Sequence, residues 1–139
     1  MTDKKGSPRE IAVAKKLEDA ELGEFGKDIF TGPVRPSGKH VPVDAVFILE
    51  TPGPPPSRFL SGCDNREHRE PVVQVTVRSK NYHDGRQKAD SIYNKLLDGG
   101  IEGYFDIRSE QSGAEFLGID DNEYYGFVIN FQLHYIEKW

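Results

Sequence analysis

The chain has 139 residues, the size of one domain that buries roughly two thirds of its unfolded surface. Hydrophobic residues make up 36% and charged residues 29%, an ordinary globular balance, and the net charge of −5 excludes a surface that grips nucleic acid all round. Cys63 is the only cysteine, so no internal disulfide forms, and no apolar run of signal-peptide or membrane length follows Met1 to Lys5; a soluble chain, not exported by that route and with no membrane partner, is expected.

In chain order, residues 1–6 read as a frayed polar terminus. Ser7, Pro8 and Glu10 form a helix-start signature, with a capping side chain, proline at the first helical position and glutamate three after the cap. Ile11, Ala14 and Leu17 follow at helical spacing, and Gly23 and Gly26 end the helix near Leu22. A short strand is expected over 27–31, and Gly32 to Pro42 is a loop. The apolar run from Asp44 to Glu50 is a buried strand, with Phe47 assigned to the core.

Residues 51–70 carry Pro54-Pro55-Pro56 and show no periodicity, so they read as one extended proline-rich loop. From Pro71 to Ser79 the strict alternation of Val73, Val75 and Val77 with Gln74, Thr76 and Arg78 predicts a half-buried strand. A second helix, capped by Asn81 or Asp84, presents Ala89, Ile92, Tyr93, Leu96 and Leu97 as one stripe and stops at Gly99-Gly100. Residues 104–108 form a short strand, and 111–122 a turn region. The last strand places Phe127, Ile129, Phe131, Leu133 and Tyr135 on one face, and Asn130, Gln132 and His134 on the other.

These elements predict a single α+β domain over 1–139: two layers, two helices packed on an antiparallel or mixed sheet of four or five strands, with a long proline-rich loop. The core residues expected are Leu17, Phe47, Val75, Ile92, Leu96, Phe127, Ile129 and Phe131.

The sequence offers no catalytic motif. His40, His68, His83 and His134 lie at no ligand spacing, and Cys63 with His68 is too small a set for a structural zinc site. Phosphate-binding glycine loops and a nucleophile elbow are absent. Asp120-Asp121 reads as a turn whose side chains satisfy their own backbone. The expectation is no catalytic residue, no cofactor and no metal. The competing enzyme reading requires Asp120, Asp121, His83 and Arg78 to converge. Arg78, Lys80, Arg86 and Lys88 bring four cations close together, either as solvated surface or as a face toward a partner or the DNA backbone.

Three segments taken together resemble a known family. They are the strand Val72 to Ser79 running into Lys80-Asn81-Tyr82, the helix Gly85 to Leu96 with its Ala89 and Tyr93, and Gly118-Ile119-Asp120-Asp121 ahead of the aromatic-alternating strand through Phe131. In order and spacing they are similar to the tail-terminator-like proteins, often labelled minor capsid or neck proteins, of long-tailed bacteriophages. The resemblance implies a small α/β fold in a homo-oligomeric ring, commonly six-fold. Such a ring caps the tail tube, joins it to the head connector and lets genomic DNA pass without sequence-specific binding. It also implies a virion location after synthesis in the host cytoplasm. The insertion at 51–70 departs from the pattern, leaving a head-completion or tail-tube subunit as the alternative. On this reading Arg58, Phe59, Leu60, Arg66 and Arg69 form an arm that contacts a neighbouring subunit.

Overall fold

A computed structural model describes residues 6–32, 42–51, 53, 57–58 and 66–138. Two helices, α1 (Pro8–Asp19) and α2 (Tyr82–Leu97), accompany eight strands: β1 (Ile29–Thr31), β2 (Ala45–Thr51), β3 (Ser57–Arg58), β4 (Arg66–Arg69), β5 (Val72–Ser79), β6 (Asp106–Arg108), β7 (Glu115–Ile119) and β8 (Tyr125–Lys138). One mixed sheet runs β1-β2-β5-β8-β4-β3, with β6 and β7 also paired to β8. Among the described strand pairs only β1 with β2 is parallel, beside an isolated parallel bridge of Phe25 with Ile29. The α+β class and the two helices are as expected, but the sheet has more strands than four or five.

Helix α1 starts as its sequence dictates. Ser7 caps it, and both halves of the capping box with Glu10 are made. It stops at Asp19, three residues before the expected end, with Glu21 at φ 61°. Asn81, not Asp84, caps α2. The helices turn Val13, Ala14, Leu17, Ala89, Ile92 and Leu96 onto one sheet face. That face is built in cross-strand rows: Val46, Val77 and Phe127; then Ile48, Val75 and Ile129. All six are 2% exposed or less.

Seven of the eight expected core residues are buried there, and Phe47 is the exception. Alternation along β2 sends Val46 and Ile48 inward, which leaves Phe47 half-buried on the opposite face, stacked on Phe30 at 5.9 Å.

The segment read as one loop, 51–70, contains β3 and β4. Its polar sequence hid them, because neither strand carries apolar alternation and their order comes from pairing with β8. Strand β4 continues β5. Arg66 pairs with Lys138, Arg69 with Tyr135, Val72 with Gln132 and Ser79 with Tyr125, so one register holds across the break at Glu70-Pro71. The Leu133 N–H donates to the Pro71 carbonyl within that break, at 3.0 Å. The fourteen-residue β8, about 45 Å long, thus pairs along one edge with β5 and then β4, and β3, β4 and the end of β8 form a ribbon. Gly53 lies so near the Glu70 carbonyl that any side chain there would meet backbone. Residues 111–122, expected as turns, include β7, which pairs with β8 on the edge away from β5.

Between β6 and β7 the ladder has a gap, and a side chain fills it. The Gln111 amide donates to the Val128 carbonyl at 3.2 Å and accepts from the Asn130 N–H at 2.6 Å. Tyr93, on α2, holds this turn by donating to the Gln111 carbonyl.

Candidate functional site

Two regions outside the core group polar or unpaired chemistry. The first is the free side of β7. Among the described residues β7 pairs only with β8, and Leu117 and Ile119 are 59% and 58% exposed. Large apolar side chains on an unpaired strand form a template for another chain. Beside them a groove of 280 Å³ runs over the sheet face opposite the helices, lined by Phe47, Thr76, Arg78, Leu117, Ile119, Tyr124 and neighbours. The turn into β8 is pinned by Asp120, whose carboxylate accepts the N–H groups of Asn122 and Tyr124 at 2.8 and 3.0 Å. This is the self-satisfying turn its sequence predicts.

The second region lies on the ribbon. His68, Glu70 and His134 fall on the face opposite the helices because β4 and β8 share one register. His68 Nε2 and His134 Nδ1 are 2.9 Å apart. Glu70 Oε1 lies 3.6 Å from His68 Nδ1 and 3.9 Å from His134 Nδ1. The exposed Phe105 ring stands 5.5 Å from the His68 ring and 6.0 Å from that of His134. His134 is only 5% exposed, and its Nε2 is buried with no hydrogen-bond partner. Burial disfavours its charged form and lowers its pKa. Glu70 and Asp106 pull the other way, while the neighbouring His68 and Arg108 add to the lowering. The last strand therefore carries His134 on the expected face, but as a covered residue and not an exposed polar one.

The residues singled out from the sequence are placed as follows. Arg58, Arg66 and Arg69 lie on β3 and β4, so all three belong to the ribbon. Arg69 lines a 140 Å³ cleft with Arg9, Glu50, Gly53, Glu70, Pro71 and Tyr135, where the ribbon leaves the body. Phe59, Leu60 and Cys63 lie outside the described residues. Arg78 donates to the carbonyls of Val43 and Pro42 at 3.0 and 2.7 Å, and its guanidinium sits over the Phe47 and Tyr124 rings. Arg86 donates to the Ala114 carbonyl at 2.7 Å and to the Tyr82 hydroxyl, 5.0 Å from the Phe127 ring centre. Arg78 holds the loop before β2 onto the sheet, and Arg86 ties Ala114 to α2. Lys80 is exposed. Lys88 shares a 160 Å³ cleft with Arg78 and three carboxylates, Asp28, Asp44 and Asp84. The cations therefore sit among acids, which weakens any net positive field there. Arg78 and Asp120 line one groove, whereas His83 and Asp121 are exposed and are not among the residues lining it.

A further ionic contact joins α1 to β2. Arg9 donates to Glu50 at 3.1 Å. Burial alone would raise the Glu50 pKa, but hydrogen bonds from Arg9 and Ser7, with the charge of Arg9, lower it overall. The same hydrogen bond to Glu50 raises the Arg9 pKa against its own burial. Glu10 is 5% exposed and accepts from the N–H groups of Ser7 and Glu50 at 2.8 and 2.6 Å.

No helix among the described residues is long and apolar enough to cross a membrane. Among curated proteins no sequence matches the chain. A family model described as bacteriophage tail terminator protein matches residues 16–136. That match takes in α2, the ribbon and the β7 edge. The chain belongs to the bacteriophage tail terminator family.

Proposed function

We propose that this tail component forms a closed homo-oligomeric ring, six-fold, at the head-proximal end of the phage tail. The ring caps the tail tube, docks on the head connector and leaves a lumen through which the genome passes. The chain is made in the host cytoplasm, works in the virion neck and acts through surfaces, not as a catalyst. One observation carries the reading: among the described residues β7 has an unpaired edge, with Leu117 and Ile119 exposed beside a groove. In a closed ring each such edge meets a neighbour, so pairing ends without runaway growth. The ribbon bearing Arg58, Arg66 and Arg69, with Phe59 and Leu60 between its strands in sequence, is the second contact toward a neighbour. The net charge of −5 and the mixing of Arg78 and Lys88 with carboxylates suit a wall along which DNA slides without being held.

The test is the mass of the purified chain in solution, beside its Ile119→Lys variant and a deletion of residues 54–66. The wild type is expected as a closed ring. The point variant should be a monomer with the same circular dichroism, and both variants should fail to join heads to tails in complementation. An open stack of rings in electron micrographs would instead identify a tube subunit. A wild-type monomer that still joins tails would remove the ring.

A further inference from the structure

We propose that His68, Glu70 and His134 form a binding site for one divalent transition-metal ion, of which Zn²⁺ is the representative. The site clamps strand β4 to strand β8. It does not depend on the ring, because all three donors come from one chain.

Two imidazoles and a carboxylate suit Zn²⁺, Co²⁺ or Ni²⁺ better than the hard cations Mg²⁺ and Ca²⁺, which select oxygen. One donor atom from each side chain lies within 4.8 Å of the others. Donors bound to one tetrahedral ion at 2.0–2.1 Å stand about 3.3 Å apart. The two histidine nitrogens, at 2.9 Å, are already near that spacing. Glu70 is half-buried and closes the rest by side-chain rotation.

His68 Nε2 and His134 Nδ1 at 2.9 Å can share only one proton between them. A divalent ion at the cluster takes a lone pair from each ring in place of that single proton. The Glu70 carboxylate offsets part of its charge. Phe105 shields one side, and a water completes the coordination.

The position explains the effect. The sites of attachment are two residues apart on β4's path, His68 and Glu70, and on the neighbouring strand, His134. An ion there ties the ribbon just beyond Pro71.

The experiment uses the untagged full chain, titrated with Co²⁺ and followed by visible absorption, with Zn²⁺ competition and thermal melting beside it. One Co²⁺ per chain, with the intense bands of low-symmetry coordination and displaceable by Zn²⁺, is expected. Zn²⁺ held free at 100 times its dissociation constant should lower the unfolded population about 100-fold and raise the melting temperature, with reversal by a chelator. His68→Ala and Glu70→Gln, both at half-buried positions, should fold and weaken binding at least about 100-fold, more than loss of an outer-shell partner does. Phe105→Ala leaves the donors in place and should still bind. A folded wild-type chain that shows no such bands overturns the proposal. So does binding that survives both donor variants, or that is lost instead on Cys63→Ser.

Discussion

Replacing Glu10 by alanine tests how α1 is fastened to the sheet. The Glu10 carboxylate is nearly buried and accepts two backbone N–H groups, from Ser7 in its own capping box and from Glu50 on β2. Each bond to a charged acceptor contributes about 1.5–3 kcal/mol, and a buried N–H left unpaired costs about 1–3 kcal/mol. Ser7 and Glu50 are both half-buried, so water can reach part of what the carboxylate leaves unpaired. Relief of the carboxylate's own desolvation offsets part of the loss. The expected net cost is about 2–4 kcal/mol, a large share of the roughly 5–15 kcal/mol that holds a domain together. Urea unfolding followed by far-ultraviolet circular dichroism, at one fixed protein concentration, gives the number. Ser7→Ala alone should cost about 1 kcal/mol. The double variant should cost less than the sum, since both changes free the same helix end. A Glu10→Ala chain within 1 kcal/mol of wild type, at an unchanged slope, would refute the reasoning.

Other outcomes follow from the same packing. Gly85 lies in α2, where alanine ordinarily stabilises by about 1 kcal/mol; here a methyl would meet Phe127 Cε1 at 2.5 Å and Ser79 Cβ at 2.8 Å. Gly85→Ala is therefore expected to lower the urea midpoint. Phe131 is fully buried, so Phe131→Ala should cost about 3–5 kcal/mol. The Glu50 pKa is lowered on folding, so its contribution is present above the unfolded value of 4.5 and is lost as pH falls through the folded one. Comparing wild type with Glu50→Gln by urea unfolding should show a gap of no more than about 1 kcal/mol at pH 7 that closes below pH 4.5.

The parts of this fold that were legible in the sequence are those where one residue's neighbours decide its state. Ser7, Pro8 and Glu10 specify a helix start locally, and the structure makes each contact of that box. Val73, Val75 and Val77 specify a strand and its buried face without reference to any partner. Strand β7 was not legible because Glu115 to Ile119 has no alternating burial; all but Gly118 are exposed. The β3–β4 pair was hidden because its order comes from β8, which is distant in sequence. For the same reason the cluster could not be read from sequence. His68 and His134 are 66 positions apart, and only the shared register makes them neighbours. His-x-Glu on a segment feeding a strand was the one available signal, and it means little until the opposite strand is placed.

The unbroken register from Arg66 to Ser79 gives the arm and the body a common phase. Strands present alternate faces with a period of two, so inserting one residue between Arg69 and Val72 would turn the arm over while the valines stayed in place. His68 would then point toward the helix side, and Arg69 would exchange faces with it. Length changes at this joint are thus confined to even numbers, or to single insertions matched by a bulge in β8. The joint behaves as a parity lock: the arm can lengthen only in steps that preserve which surface it shows to a neighbour.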